Sequence, residues 1–110
     1  MLLYRAMCRA EFDTTLIAGA PAFVRRFKWF SPDLAWIEGR VLDGRFNNSA
    51  FVPERYTHVL SFELDPLNVR KHFTPVGRNE LMVDRRHAGY FAWGMSTVII
   101  APGGARRRCA

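Results

Sequence analysis

The sequence predicts an α+β domain with a mixed, mostly antiparallel sheet and two short helices near the N-terminus. Three observations favour this class. The segment THVLSFEL, residues 57–64, alternates polar and apolar side chains as a half-buried strand does. The N-terminal half contains two segments with apolar residues near helical spacing. The chain has 110 residues, 49% of them hydrophobic, which is enough for one domain around one core.

We expect this single domain to span residues 1–104, followed by a basic, flexible tail at 105–110. Its first element is a short strand at residues 2–7, LLYRAM. A helix follows, because Phe12 and Leu16 lie one helical turn apart, and Gly19 is a typical helix stop.

The next two elements are predicted to join through a serine. Residues 23–30, FVRRFKWF, alternate along their length and indicate a strand. Ser31 then caps a helix that runs to about Leu42, because Ser-Pro-Asp is a typical helix start. The polar residues 43–56 that follow have the turn chemistry of a loop.

Strands dominate the second half. After the strand at 57–64, Asp65 and Pro66 indicate a turn or one short helix. Residues 74–78, TPVGR, are predicted as loop, and strands are predicted at 79–83 and 95–100.

The charge balance favours a polyanionic partner. The net charge is +6, and the basic residues comprise 14 arginines and 2 lysines. Arginine binds phosphates through two parallel hydrogen bonds and stacks on bases, so nucleic acid or a dinucleotide pyrophosphate is a plausible ligand. The same arginine bias is also typical of a GC-rich genome, and the composition alone does not separate these two explanations.

The sequence lacks the patterns that are typical of several classes of protein. No apolar run approaches the roughly 20 residues of a membrane span, and the N-terminus has no apolar core of a signal peptide. We therefore expect no membrane association and a cytoplasmic location, in the producing cell or in a target cell. The three histidines, His58, His72 and His87, are too scattered to predict a metal site. No phosphate-binding loop of the GxxxxGK[ST] type is present.

Four segments, taken in order, resemble the small ADP-ribosyltransferase domains of bacterial toxins and effectors. They lie between residues 2 and 83: LLYRAMCRAEFDTTLIAG, KWFSPDLAW, HVLSFELDP and RNELMV. The resemblance implies an enzyme that uses NAD as a substrate and needs no metal. Breaking the bond between nicotinamide and ribose develops an oxocarbenium-like cation, which a nearby carboxylate stabilises.

The resemblance also assigns roles to individual residues. Arg5 matches the cation on the first strand that holds NAD, Ser31 matches the hydroxyl at the end of the second strand, and Glu80 matches the catalytic glutamate. Tyr4, Trp29 and Phe30 would complete the cofactor-binding wall. The side chains of Arg5, Ser31 and Glu80 are expected to converge on one cleft.

Two departures from the family pattern concern the acceptor and the serine motif. The family usually has Ser-Thr-Ser where this chain has Trp29-Phe30-Ser31. Arg78 occupies the place two residues before the glutamate, where family members often carry the acceptor-selecting Glu or Gln. The macromolecular acceptor is therefore unknown, with nucleic acid or a nucleic-acid-associated protein as candidates. Two alternatives stay open: a non-catalytic basic module that binds nucleic acid or an acidic protein, and an inhibitor of a host enzyme.

Overall fold

Six strands and three α-helices make up the part of the chain that the computed structural model describes, residues 1–43 and 58–100. In chain order they are β1 (Leu2–Met7), α1 (Arg9–Ala18), β2 (Phe27–Phe30), α2 (Leu34–Asp43), β3 (His58–Glu63), α3 (Pro66–His72), β4 (Phe73–Val76), β5 (Glu80–Asp84) and β6 (Gly94–Ile100). The predicted α+β class is confirmed. Most of the predicted loop at 43–56 and the predicted tail lie outside the described residues.

The strands form two three-stranded sheets in place of the single sheet that the sequence suggested. The first sheet has the order β1-β3-β6 and the second has the order β2-β5-β4. Every strand pairing within the described ranges is antiparallel. One isolated bridge, between Tyr4 and Ser31, connects β1 with the residue that follows β2. This bridge brings the two sheets together at one place.

The main core lies where both sheets, α1 and α3 meet. Its buried side chains are Leu3, Met7, Phe12, Phe30, Leu60, Phe62, Leu64, Val69, Phe73 and Val83. A second, smaller cluster lies on the opposite face of the first sheet, where Ile37 of α2 packs against Ala6 and Val59. The first sheet is therefore covered on both faces.

Local chemistry explains several element boundaries. Helix α1 ends at Gly19, whose φ of 71° is the left-handed conformation that glycine adopts without strain, as predicted. Helix α3 starts with Pro66 and is capped by Asp65, whose side chain accepts a hydrogen bond from the Leu67 amide. A second glycine with φ 71°, Gly77, makes the turn between β4 and β5.

Two predicted boundaries were wrong around Ser31. The strand predicted for 23–30 is regular only at Phe27–Phe30, and helix α2 begins at Leu34. The cap of α2 is Asp33, because its Oδ1 atom accepts a hydrogen bond from the Trp36 amide at 3.2 Å. A carboxylate two residues beyond the predicted cap supplies the capping oxygen.

Candidate functional site

Three strands that are distant in sequence meet at one place, which we call the strand junction: Tyr4 and Arg5 of β1, Ser31 after β2, and Glu80 at the start of β5. Tyr4 and Ser31 exchange two backbone hydrogen bonds, of 2.8 and 2.9 Å. Strands β2 and β5 pair in a register that ends with Phe30 opposite Leu81. Ser31 directly follows Phe30, and Glu80 directly precedes Leu81, so both residues adjoin the last cross-strand pair of β2 and β5.

Ser31 is fully buried, and its side chain holds the loop that leads into α2. Its Oγ atom accepts a hydrogen bond from the Asp33 amide at 3.0 Å and lies 3.4 Å from the Asp33 carbonyl oxygen. These contacts hold Asp33, which in turn caps α2. The hydroxyl therefore fixes the loop between the junction and the helix.

Arg5 lies at the junction but is already partnered. Its Nε and Nη2 atoms donate hydrogen bonds of 2.6 and 3.1 Å to the two carboxylate oxygens of Glu11, in the bidentate geometry that arginine favours. Its Nη1 atom donates to the Trp29 carbonyl oxygen at 2.9 Å, and its guanidinium carbon lies 5.8 Å from the centre of the Phe30 ring. Arg5 thus ties β1 to α1 and to β2.

A second cation shares the same carboxylate, and sequence reasoning missed both partners. Lys28 donates from Nζ to Oε2 of Glu11 at 3.0 Å. The side chains of Arg5, Glu11 and Lys28 are only 14%, 19% and 10% exposed. Together they form a partly buried charge cluster with two positive groups and one negative group. Two features of the sequence indicate this cluster. Glu11 lies in the first turn of α1, and Lys28 lies two residues before the buried Phe30, on the same face of β2.

The cluster also sets the ionisation of Glu11. Burial raises the pKa of this carboxyl, but the Arg5 guanidinium and the Lys28 ammonium outweigh burial and hold the pKa below its ordinary value of 4.5. Glu11 is therefore ionised at neutral pH, and the cluster keeps a net positive charge.

A pH dependence of stability follows from that lowered pKa. Between the folded and unfolded pKa values the unfolded chain binds more protons, so stability rises with pH in that window. The contribution of Glu11 is complete above about pH 4.5, its ordinary value, and is lost as the pH falls through the lower folded value. Urea unfolding from pH 7 to pH 3 should show this loss in the wild type. The loss should be smaller in Glu11→Gln, in which Asp84, whose pKa the hydrogen bond from the Arg86 amide also lowers, still contributes, and it should be retained in Asp13→Asn, which alters an exposed pair.

The aromatic residues assigned to NAD binding separate into different environments. Phe30 is 1% exposed and belongs to the main core, which leaves it no surface on which to bind a cofactor. Tyr4 is partly buried and packs against the smaller cluster beside α2. Trp29, by contrast, is 41% exposed on the opposite face of β2 from Phe30. Trp29 alone among these three presents a largely open ring at the junction.

Glu80 belongs to the same face of the second sheet as Trp29. Along β5, Val83 is buried in the main core and Leu81 packs against it, so alternation directs Glu80 and Met82 to the other face. Met82 is the direct cross-strand partner of Trp29. Glu80 and Trp29 therefore share one face of the second sheet, whereas the Arg5 guanidinium lies toward the core side beside Phe30 and the Ser31 hydroxyl binds Asp33. The predicted convergence of Arg5, Ser31 and Glu80 on one cleft differs from this arrangement, because Arg5 and Glu80 lie on different faces of the sheet.

No protein-family model, curated protein or solved structure matches this chain. Over residues 1–43 and 58–100, no helix is long and apolar enough to cross a membrane. In the same part of the chain, no group of three or more histidine, cysteine, aspartate or glutamate side chains could hold a metal ion.

Proposed function

We propose that this chain is an NAD-dependent mono-ADP-ribosyltransferase-like domain that transfers ADP-ribose to a macromolecular acceptor. The observation that carries the proposal is the strand junction. Ser31 and Glu80 adjoin Phe30 and Leu81, the last cross-strand pair of β2 and β5, and the two-bond bridge between Ser31 and Tyr4 holds the backbone of Arg5 one residue away on β1. The sequence separates these residues widely, and the two sheets bring their strands together.

The chemistry requires a carboxylate at this place. In the proposed reaction the bond between the nicotinamide nitrogen and C1′ of the ribose breaks. Its electron pair goes to the nicotinamide ring, which loses its positive charge and leaves. The ribose becomes an oxocarbenium-like cation, as in glycoside hydrolysis, and the Glu80 carboxylate stabilises it. A nucleophilic atom of the acceptor then bonds to C1′ and releases its proton.

The other residues of the junction have supporting roles in this proposal. The cluster of Arg5, Lys28 and Glu11 lies toward the core side of β2 and keeps one net positive charge, so in this proposal it attracts the pyrophosphate of NAD at a distance and does not contact it. The exposed ring of Trp29 supplies a surface on which the nicotinamide can stack. Ser31 holds the loop into α2 in place beside Glu80.

The biological setting is part of the same proposal. We place the activity in the cytoplasm of the producing or a target cell, as that of a toxin, an effector or a phage-encoded modifier of host molecules. The acceptor is a macromolecule, with nucleic acid or a nucleic-acid-associated protein as the first candidates to test because the chain carries a net charge of +6.

Release of nicotinamide from NAD is the decisive measurement. The wild-type protein should release nicotinamide, with water or an added macromolecule as the acceptor. Glu80→Gln should reduce the rate by about 10²- to 10³-fold, because it removes the charge that stabilises the cation and keeps the shape of the side chain. The unfolding midpoint of the variant should stay close to that of the wild type.

Glu63→Gln is the matched control, since Glu63 is an exposed glutamate at the end of β3 that pairs with the N-terminal amine. It should leave the rate unchanged. The proposal fails if Glu80→Gln releases nicotinamide as fast as the wild type. It also fails if the wild type releases none in the presence of oligonucleotides and of a protein extract.

A further inference from the structure

The end of the second sheet where β5 finishes carries a concentration of positive charge. Exposed basic residues lie on the three segments that adjoin this end, and we call their surface the basic end: Arg25 and Arg26 before β2, Arg70 and Lys71 in the last turn of α3, and Arg85 and Arg86 after β5. Asp84 is the carboxylate that pairs with two of them. The basic end is one strand length from Glu80, or roughly 13 Å for a five-residue strand, so it is separate from the strand junction.

The fold holds two arginine-bearing segments side by side at this end. The Arg85 amide donates a hydrogen bond of 2.7 Å to the Arg26 carbonyl oxygen. The Asp84 carboxylate accepts hydrogen bonds from Nε of Arg26 at 3.0 Å and from the Arg86 backbone amide at 2.9 Å, and the Nε atom of Arg86 lies 3.3 Å from its Oδ2 atom. Both arginine side chains nevertheless stay more than half exposed, at 58% and 69%. Since each guanidinium has five N–H groups, both keep donors for a further anion.

An exposed aromatic surface adjoins these cations. Nδ1 of His72 and Nδ1 of His87 lie 3.1 Å apart, which joins the end of α3 to the turn after β5. The Tyr90 ring lies 5.8 Å from each of these imidazole rings and is 70% exposed. The contact between the histidines also brings Lys71, the neighbour of His72, to this surface.

We propose that the basic end binds single-stranded nucleic acid, with phosphates held by the arginines and a base stacked on Tyr90. Arg26, Arg85 and Arg86, which lie around the single carboxylate of Asp84, are complementary to a polyphosphate backbone. An open tyrosine ring suits a base whose face is free, which a single strand offers and a duplex does not. This inference does not depend on NAD chemistry, because it uses none of the junction residues.

Fluorescence anisotropy with labelled 20-nucleotide dT and rU oligomers tests the proposal. The wild type should bind both, with affinity falling steeply between about 50 and 200 mM salt. The double variant Arg85→Ala/Arg86→Ala should bind about 25-fold more weakly at 0.1 M salt, since each phosphate contact to a single strand contributes a factor of about 5 there. Tyr90→Ala should lose at least about fivefold through the missing stack.

Control variants distinguish binding at the basic end from attraction by the overall positive charge of the protein. Arg78→Ala removes an exposed arginine at the opposite end of β5 and should change affinity little. The basic residues at 106–108 are the same in every variant, so their contribution cancels in the comparison. Heparin, a polyanion without bases, should bind Tyr90→Ala and the wild type with the same affinity.

Three outcomes would overturn the proposal. One is oligonucleotide binding by Arg85→Ala/Arg86→Ala equal to that of the wild type. Another is an equal loss in Arg78→Ala, which would place the contact elsewhere. The third is binding of an acidic polyglutamate peptide as tight as that of the oligomers, with no effect of Tyr90→Ala, which would indicate an acidic protein as the partner.

Discussion

Replacement of Glu11 by alanine is expected to lower the free energy of unfolding by about 3–5 kcal/mol, because it leaves two cations poorly solvated and without their shared partner. Glu11 accepts two hydrogen bonds from Arg5 and one from Lys28. All three side chains are less than one-fifth exposed. Chemical unfolding followed by circular dichroism measures the loss, which in a domain of this size corresponds to a fall of more than about 10 °C in the unfolding midpoint.

Asp13→Ala is the control, since Asp13 pairs with Arg9 on the exposed surface of the same helix. It should change stability by less than about 1 kcal/mol. The triple variant Arg5→Met/Glu11→Leu/Lys28→Met should recover most of the loss, because apolar residues of similar volume need no counter-charge. Equal stabilities of Glu11→Ala and Asp13→Ala would show that the cluster contributes nothing of its own.

Phe30→Ala is expected to destabilise the protein by about 3–5 kcal/mol, the usual result of removing a large aromatic ring from a core. The Phe30 ring makes edge-to-face contacts with Phe62 and Phe73, each at 5.8 Å between centroids, and lies 5.3 Å from Trp93. Because these partners come from both sheets and from the segment before β6, the cavity would loosen the packing between the sheets.

The adjacent residue provides the comparison. Trp29→Ala truncates a ring that is 41% exposed, and it should reduce stability by less than half as much as Phe30→Ala. If the proposed NAD site is correct, Trp29→Ala should instead raise the KM for NAD. A stability loss for Trp29→Ala as large as that for Phe30→Ala would contradict the assignment of the two faces of β2.

The elements that the sequence predicted well are those with strong local signals. The strand at 57–64 is observed as His58–Glu63, and the strand at 79–83 is observed as Glu80–Asp84, one residue later. Gly19 ends α1 as its backbone freedom predicts. In each case the information lies within a few neighbouring residues.

The elements that the sequence missed depend on distant partners. Residues 74–78 are predicted as loop, yet the structure has the strand β4 at Phe73–Val76. Among the strands of the described residues, β4 pairs with β5 and lies at the edge of its sheet. An edge strand tolerates Pro75, whose missing N–H would disrupt a central strand. The proline and glycine of residues 74–78 therefore predict a loop, whereas pairing with β5 stabilises a strand at Phe73–Val76.

For the candidate site, local patterns in the sequence were enough to predict the α+β class, the strand that carries Arg5 and the strand that carries Glu80, because alternation and turn residues are local properties. The partners of these residues follow from the tertiary structure. The pairing of β2 with β5 brings Phe30 opposite Leu81, and Arg5 binds Glu11, which also binds Lys28 from β2. Strand register and buried charge pairing join residues that are far apart in the chain, so no local pattern specifies them.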